Sequence, residues 1–185
     1  MSYRQVYGDA GLGDLSGTVT SLPAGYTLGE IREEEGGTKR YRLMYNAGGA
    51  SIPSNSVVAR IGSGTLYSVT VTTTSETGAT LSAGVTEGAV TVPTDSYFWA
   101  GVWGHPFKLI SGTISIATGA KVTTAGTNPG YVMVATTPTN NVIAVNIGDF
   151  ASTVTGIATA NTGLAGGRFF IRFEEQSIIN LGLAY

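Results

Sequence analysis

The sequence predicts an all-β protein, built as a compact β-barrel or β-sandwich with an extended N-terminal arm. Three observations support this prediction: short segments rich in Thr and Val alternate between apolar and polar residues, turn residues separate them at close intervals, and helix formers are scarce over any sustained window. The 27 glycines supply turns and bulges for such a chain. With 185 residues, the chain is long enough for one domain with its own core. We expect an arm over residues 1–27 and a single β-rich domain over residues 28–185.

The composition argues against several classes of function. Charged residues make up 12% of the chain and the formal net charge is -2, so there is no basic surface to neutralise phosphates. No apolar run approaches the length of a membrane span, and the N-terminal residues lack the apolar core of a signal peptide. The absence of cysteine excludes disulfides and thiolate metal sites, which fits folding in a reducing cytosol. We expect neither nucleic acid nor a membrane as a partner.

The N-terminal segment is rich in glycine and weakly patterned, which is typical of an extended arm that becomes ordered against a partner. Its acidic residues stand among glycines, but their spacing does not match the calcium-binding loop of an EF-hand. The arm is therefore a candidate partner-binding segment. Its candidate contact residues are Tyr3, Arg4, Tyr7, Leu12 and Leu15.

The first regular element is a predicted hairpin over residues 28–45, with Gly36-Gly37 as its turn. Its first strand is mostly acidic and its second is mostly basic, so pairs between Glu33 to Glu35 and the facing cations would help to set the register. One interpretation is a solvated hairpin with matched charges, since exposed ion pairs contribute little stability. The other interpretation is a charged contact for a partner. The partner-facing residues would then be Arg32, Glu34, Lys39, Arg40 and Arg42.

Further short strands are expected in order along the chain. In the segment 50–60, Pro53 confines its surroundings to a strand start or an edge. Residues 66–72 alternate with the two-residue period of a strand, and a Thr/Gly-rich stretch follows over residues 73–93. Beyond the aromatic segment described next, strand-like segments occur at 107–110, 113–116, 120–123, 131–136, 142–147, 156–160 and 168–173.

Residues 97–107 hold both tryptophans and the single histidine. At the period of a strand, one face would carry Tyr97, Trp99, Gly101, Trp103, His105 and Phe107. Large aromatic side chains are usually covered by protein, so we interpret Tyr97, Trp99, Trp103 and Phe107 as residues of the fold or of a subunit interface. The alternative is that the row forms a platform on which sugar rings stack.

The sequence contains no clear catalytic constellation. A Ser-His-Asp triad would need His105, which directly precedes Pro106, and no GxSxG motif occurs. A histidine-based metal site needs more than one histidine in most cases. The carboxylates that glycoside hydrolysis would use are dispersed along the chain, and nothing in the sequence brings two together. We therefore expect no enzymatic activity, no cofactor and no metal.

Four segments, in their order along the chain, resemble the pattern of a known protein family. They are the hairpin region 28–49, the segment Ser51-Ile52-Pro53-Ser54-Asn55-Ser56-Val57-Val58, the aromatic strand ending Val102-Trp103-Gly104-His105-Pro106-Phe107, and Gly156-Ile157-Ala158-Thr159-Ala160 before the apolar segment 168–173. In this order the chain resembles a family of small tailed-phage virion proteins that decorate or cement the capsid. The resemblance covers residues 28–175, and it departs from the family pattern at His105 and in its longer arm.

The resemblance implies a β-rich structural subunit that docks on the outer face of the capsid. Its implied partners are the major capsid protein and further copies of itself, with a homotrimer favoured. Its implied location is the outer capsid surface of the virion, after assembly in the host cytoplasm. The low charge fraction is consistent with close packing against other subunits. The alternative is a carbohydrate- or receptor-binding β module of a phage head fibre or tail, with the aromatic row as its binding surface.

Overall fold

The computed structural model describes residues 18–34, 36–61, 67–71, 82–87, 91–110, 116, 119–124, 129–135, 144–148 and 168–172. Within these residues the protein is all-β and contains no helix, which confirms the predicted class. Eleven strands belong to one sheet. They are β1 (Thr18–Val19), β2 (Ile31–Glu33), β3 (Lys39–Asn46), β4 (Val57–Arg60), β5 (Ser68–Val71), β6 (Ser82–Thr86), β7 (Ser96–Phe107), β8 (Lys121–Thr124), β9 (Val132–Val134), β10 (Ala144–Gly148) and β11 (Arg168–Arg172).

Five of the strands close into a barrel. They pair in the order β3-β5-β4-β6-β7, and β7 pairs back with β3. The β3–β5 pair is parallel and the other four pairs are antiparallel. The structure is therefore a barrel rather than a sandwich. Beyond the barrel, the sheet continues from β7 through β11, β10 and β8 to β9, and β2 extends it beside β3.

Small residues make room for larger side chains inside this narrow barrel. A Cβ atom added to Gly84 on β6 would lie 3.1 Å from the Cβ of Ala100 and 3.5 Å from the Cε of Met44. Because β6 and β3 are not neighbours in the sheet, the approach of Met44 to Gly84 crosses the barrel interior. Val58 and Val69 are fully buried on the neighbouring strands. Side chains of these strands therefore fill the barrel interior.

The segment before the hairpin lies against the outside of the barrel. In the register of β1 and β7, Val19 lies opposite Tyr97. Leu22 and Tyr26 also pack against the buried core, and the Tyr26 ring lies 6.4 Å from Trp99, centroid to centroid. The part of the predicted arm that the structure describes, residues 18–27, therefore contacts the domain. Residues 1–17 lie outside the described residues, so the extended arm there stays a prediction.

The predicted hairpin is confirmed as β2, β3 and the turn between them. Ile31 lies opposite Arg42, Arg32 opposite Tyr41, and Glu33 opposite Arg40. The two turn glycines adopt φ angles of 97° and 70°, a left-handed backbone that favours glycine. The glycine pair therefore enables the tight reversal that places the acidic strand beside the basic one.

Two irregularities divide β7 and change which way its side chains point. Trp103 lies opposite Arg40, while Gly101 lies opposite the adjacent Tyr41, so Val102 is an extra residue and Trp103 falls on the opposite face from Trp99. A second register shift occurs between residues 104 and 107, opposite β11. It returns Phe107 to the face of Tyr41, whose ring lies 5.9 Å away, centroid to centroid. The expectation of one continuous aromatic face is therefore wrong.

Candidate functional site

Two of the hairpin arginines form ion pairs within the hairpin region. The Nε of Arg40 donates to Oε1 of Glu33 across the strands at 2.7 Å, as the charge pattern predicts. The Nε of Arg32 donates to Oε1 of Glu30 at 2.9 Å. The carboxylate of Glu34 accepts a hydrogen bond from the Thr38 hydroxyl at 3.1 Å.

The same two arginines also stack on aromatic rings. The guanidinium carbon of Arg32 lies 4.7 Å from the ring centroid of Tyr26 and 4.9 Å from that of Trp99. The guanidinium carbon of Arg40 lies 5.0 Å from the ring centroid of Trp103. Such contacts contribute about 0.5–1 kcal/mol each at exposed sites. Arg32 therefore helps to hold β2 against the barrel, and Arg40 adds a side-chain contact between β3 and β7.

Among the described residues, Lys39 pairs with a distant glutamate and not with Glu33 or Glu34, which corrects that part of the predicted pairing. Its side chain is 10% exposed, and its Nζ lies 2.6 Å from Oε1 of Glu87. The hydroxyl of Tyr41 donates to the other carboxylate oxygen of Glu87. Burial raises the pKa of Tyr41 well above its usual range, and the Glu87 carboxylate raises it further. Lys39, Tyr41 and Glu87 thus form a partly buried network that stabilises the neutral phenol.

Arg42 differs from the other hairpin arginines. It lies opposite Ile31 in the hairpin, and its guanidinium carbon lies 5.6 Å from the Tyr67 ring centroid. Its Nε is buried and has no hydrogen-bond acceptor among the described residues. None of the ion pairs found among those residues involves Arg42, so the predicted pair with Glu33 or Glu34 does not form. Burial lowers the pKa of the nearby Arg60, and the like charge of Arg42 lowers it further, against an opposing effect of Tyr67. Arg60 lies opposite Val69, two residues after Tyr67, so the two half-buried cations both lie beside Tyr67.

Ile31 extends the surface around Arg42 to the edge of the sheet. It is 45% exposed and is the only large hydrophobic side chain exposed among the described residues. Its strand, β2, is the terminal strand in the sheet order. Ile31, Arg42, Arg60 and Tyr67 are called the barrel-end surface below. They combine an apolar contact with positive charge, a combination suited to binding an acidic and partly apolar partner.

The predicted aromatic row is mostly part of the fold. Trp99 is 2% exposed and Phe107 is fully buried, so both belong to the core. Trp103 is half-buried beneath Arg40. Tyr97 is also half-buried and packs against the ring of Tyr45, with 4.8 Å between centroids. Any stacking platform for a sugar is therefore confined to the few aromatic rings that remain accessible.

The pair Tyr45 and Tyr97 has a carboxylate beside it. The Tyr45 hydroxyl donates to Oδ1 of Asp95 at 2.8 Å. This hydrogen bond raises the pKa of Tyr45, with smaller contributions from burial and from the charge of Asp95. A left-handed backbone, with a φ of 56°, holds Asp95 in this position. Two tyrosine rings and a carboxylate are chemically able to contact a sugar, although the carboxylate is already bonded to one hydroxyl.

Other candidate residues fall outside these clusters. His105 is exposed, and its backbone N–H donates to the Thr38 carbonyl oxygen at 3.0 Å. Across the described ranges, no group of three histidine, cysteine, aspartate or glutamate residues is placed to hold a metal ion. The candidate contact residues of the arm lie outside the described residues. They are Tyr3, Arg4, Tyr7, Leu12 and Leu15.

Several residues of these clusters were not predicted as contact residues from the sequence, including Ile31, Tyr45 and Asp95 besides the three discussed next. Glu87 lies 48 positions after Lys39, and nothing local in the sequence connects the two. Arg60 ends β4 and Tyr67 directly precedes β5, and the pairing of β5 with both β3 and β4 brings them to Arg42. One signal in the sequence could have pointed to Glu87 and Arg60, namely the low charge fraction. In a chain with few charges, a charged residue within an apolar segment needs a partner if it is buried, and that partner can lie far away in the sequence.

No family model, curated protein or solved structure matches this chain. In the part of the chain that the structure describes, no helix has the length and apolar character needed to cross a membrane.

Proposed function

We propose that this protein is a structural virion protein that decorates and stabilises a tailed-phage capsid. It binds subunits of the major capsid protein and further copies of itself, with a trimer favoured. The order of segments in the sequence supports the phage assignment through its resemblance to capsid decoration proteins. A closed barrel is consistent with this role, because pairing around the ring leaves its five strands without a free edge of their own.

The adjacency of Ile31 and Arg42 is the observation that carries a binding role. Ile31 is an exposed branched aliphatic side chain on a terminal strand, so it offers an apolar contact to another protein. Arg42 lies directly beside it, on the same face of the hairpin. Arginine is enriched where protein surfaces meet, because its guanidinium combines an apolar face with directed donors. The barrel-end surface is therefore the proposed contact with the capsid.

The experiment is a binding assay with expanded capsids that lack the protein. Cosedimentation measures binding, and calorimetry measures the melting temperature of the shell. We expect saturable binding and a higher melting temperature for decorated shells. Ile31→Asp should weaken binding, whereas Thr91→Asp, which adds the same charge at another exposed position, should not. A well-folded protein that fails to bind such shells contradicts the proposal.

A carbohydrate- or receptor-binding module is the second candidate, and the pair Tyr45 and Tyr97 beside Asp95 favours it. Sugar binding would change the fluorescence of tyrosine in this pair and would depend on both rings. A glycan array tests it directly, with Tyr97→Ala as the variant. No hit on the array for the wild-type protein removes this candidate.

A further inference from the structure

Three arginines in one hairpin have different environments. The Nε atoms of Arg32 and Arg40 each donate to a carboxylate of this chain, at 2.9 Å and 2.7 Å. The Nε of Arg42 is buried, and no described residue accepts a hydrogen bond from it. A buried donor without an acceptor costs about 1–3 kcal/mol, so such an atom calls for a ligand or for a role that offsets the cost.

The surroundings of Arg42 concentrate positive charge. Arg60 lies opposite Val69 in the register of β4 and β5, and Tyr67 lies two residues before Val69, so Arg60 and Arg42 both lie beside Tyr67. Burial lowers the pKa of Arg60, and the like charge of Arg42 lowers it further. Tyr67 contributes a ring beneath Arg42 rather than a charge. A guanidinium on an aromatic face keeps its N–H donors in its own plane, where an oxyanion can reach the exposed ones.

We infer that Arg42, which lies over the Tyr67 ring, and Arg60 form a recognition site for a carboxylate presented by a protein partner. A carboxylate is favoured over other anions because this chain itself uses carboxylates to satisfy the two neighbouring arginines, at Glu30 and Glu33. Ile31, adjacent to Arg42, supplies the apolar contact that a protein segment would cover. The site rests on the described residues, and its assignment to an acidic side chain of the major capsid protein rests on the proposed function.

The test follows the Nε–Hε signals of the arginines in nitrogen-15 NMR spectra of the full-length protein. Sodium acetate is titrated against sodium chloride at equal ionic strength. We expect the Arg42 signal to shift and to saturate, while the signals of Arg32 and Arg40 stay in place because their Nε atoms already donate to carboxylates. Arg42→Lys keeps the charge, removes the planar donors and should reduce the acetate affinity about tenfold. Arg40→Lys is the matched control and should leave it unchanged.

Several results would overturn the inference. An Arg42 signal that responds to acetate no more than to chloride refutes the site. A parallel titration with sodium phosphate that saturates at far lower concentration refutes the choice of a carboxylate. Capsid binding is measured separately, so the two proposals fail in different ways. Acetate binding without capsid binding refutes the capsid assignment alone, and capsid binding that is unchanged in Arg42→Lys refutes Arg42 as the contact.

Discussion

The guanidinium of Arg42 lies over the ring of Tyr67, with 5.6 Å between the guanidinium carbon and the ring centroid. Arg40, two residues earlier on the same strand, lies over Trp103 at a similar distance of 5.0 Å. The two differ in their polar partners, since Glu33 accepts from Arg40 and no described residue accepts from the Nε of Arg42. Arginine therefore stabilises the fold at position 40, whereas at position 42 it is available for binding.

This difference predicts opposite effects of the same substitution on stability. Arg42→Met removes a buried donor without an acceptor and a like charge beside Arg60, so we expect the free energy of unfolding to rise by about 1 kcal/mol. Arg40→Met removes the Glu33 ion pair and should lower it by about 0.5–1 kcal/mol, since that arginine side chain is 40% exposed. Urea denaturation measures both. Equal destabilisation by both variants would contradict the assignment of Arg42 to binding.

The buried phenol of Tyr41 predicts a loss of stability at alkaline pH. Its pKa is raised in the folded protein above its ordinary value of about 10, so the fold favours the neutral phenol. The stabilisation is fully present below pH ~10 and decreases as the pH rises beyond that value, where the unfolded chain loses the proton more readily. Tyr41→Phe should lower the free energy of unfolding by about 1–2 kcal/mol at neutral pH. As the pH rises above ~10, the variant should lose less stability than the wild-type protein. Denaturation curves across this range give the comparison, and identical alkaline slopes for the two proteins would refute it.

The pair Lys39 and Glu87 predicts strong coupling between two sites far apart in the sequence. Their side chains are 10% and 24% exposed, so either Lys39→Met or Glu87→Gln leaves a partner poorly solvated and should cost about 1–3 kcal/mol. The double variant should cost about 1 kcal/mol less than the sum of the two. A double-mutant cycle measures this coupling. The pair Glu33 and Arg40 is the matched comparison, with coupling of about 0.5 kcal/mol expected at its more exposed position. Additive effects at Lys39 and Glu87 would show that their contact contributes nothing.

The second irregularity of β7 predicts that Gly104 tolerates no side chain. Its φ is 105°, and an added Cβ would overlap the backbone carbonyl oxygen of Thr38. Gly104→Ala should therefore lower the free energy of unfolding by about 3 kcal/mol or more, through strain and a clash with backbone. Gly36→Ala is the control, because Gly36 has a φ of 97° but nothing within 4 Å of the added atom. It should cost only about 1 kcal/mol. Equal costs at the two positions would mean that the contact with Thr38 is unimportant.

Much of the local structure could be predicted from the sequence. The glycine pair and the opposite charges of its flanking segments predicted the hairpin, and Glu33 does pair with Arg40. The aromatic segment was expected to belong to the fold or an interface, and Trp99 and Phe107 are buried in the core. These features involve residues that are neighbours along one strand or across a pair of strands. Residue composition and the two-residue period of a strand are enough to predict such local features.

The bulge in β7 and the contacts between distant segments cannot be predicted from the two-residue period of a strand. One extra residue at Val102 moves Trp103 to the opposite face, and a two-residue period cannot anticipate such a bulge. Glu87 reaches Lys39 through the pairing of β6 and β3 with β7, and Arg60 approaches Arg42 through the pairing of β4 and β3 with β5. The barrel-end surface could therefore be seen only in three dimensions, although Arg42 itself was a predicted contact residue.

The most direct test of the proposed role is the copy number of this protein in purified virions, measured by quantitative mass spectrometry against the major capsid protein. A decoration protein occupies repeated positions on the shell, so we predict a fixed stoichiometric ratio to the major capsid protein across virion preparations, with many copies per particle. A handful of copies per particle, or its absence from particles, would contradict decoration. A small fixed number would instead favour the fibre or tail module for which Tyr45 and Tyr97 are the candidate surface.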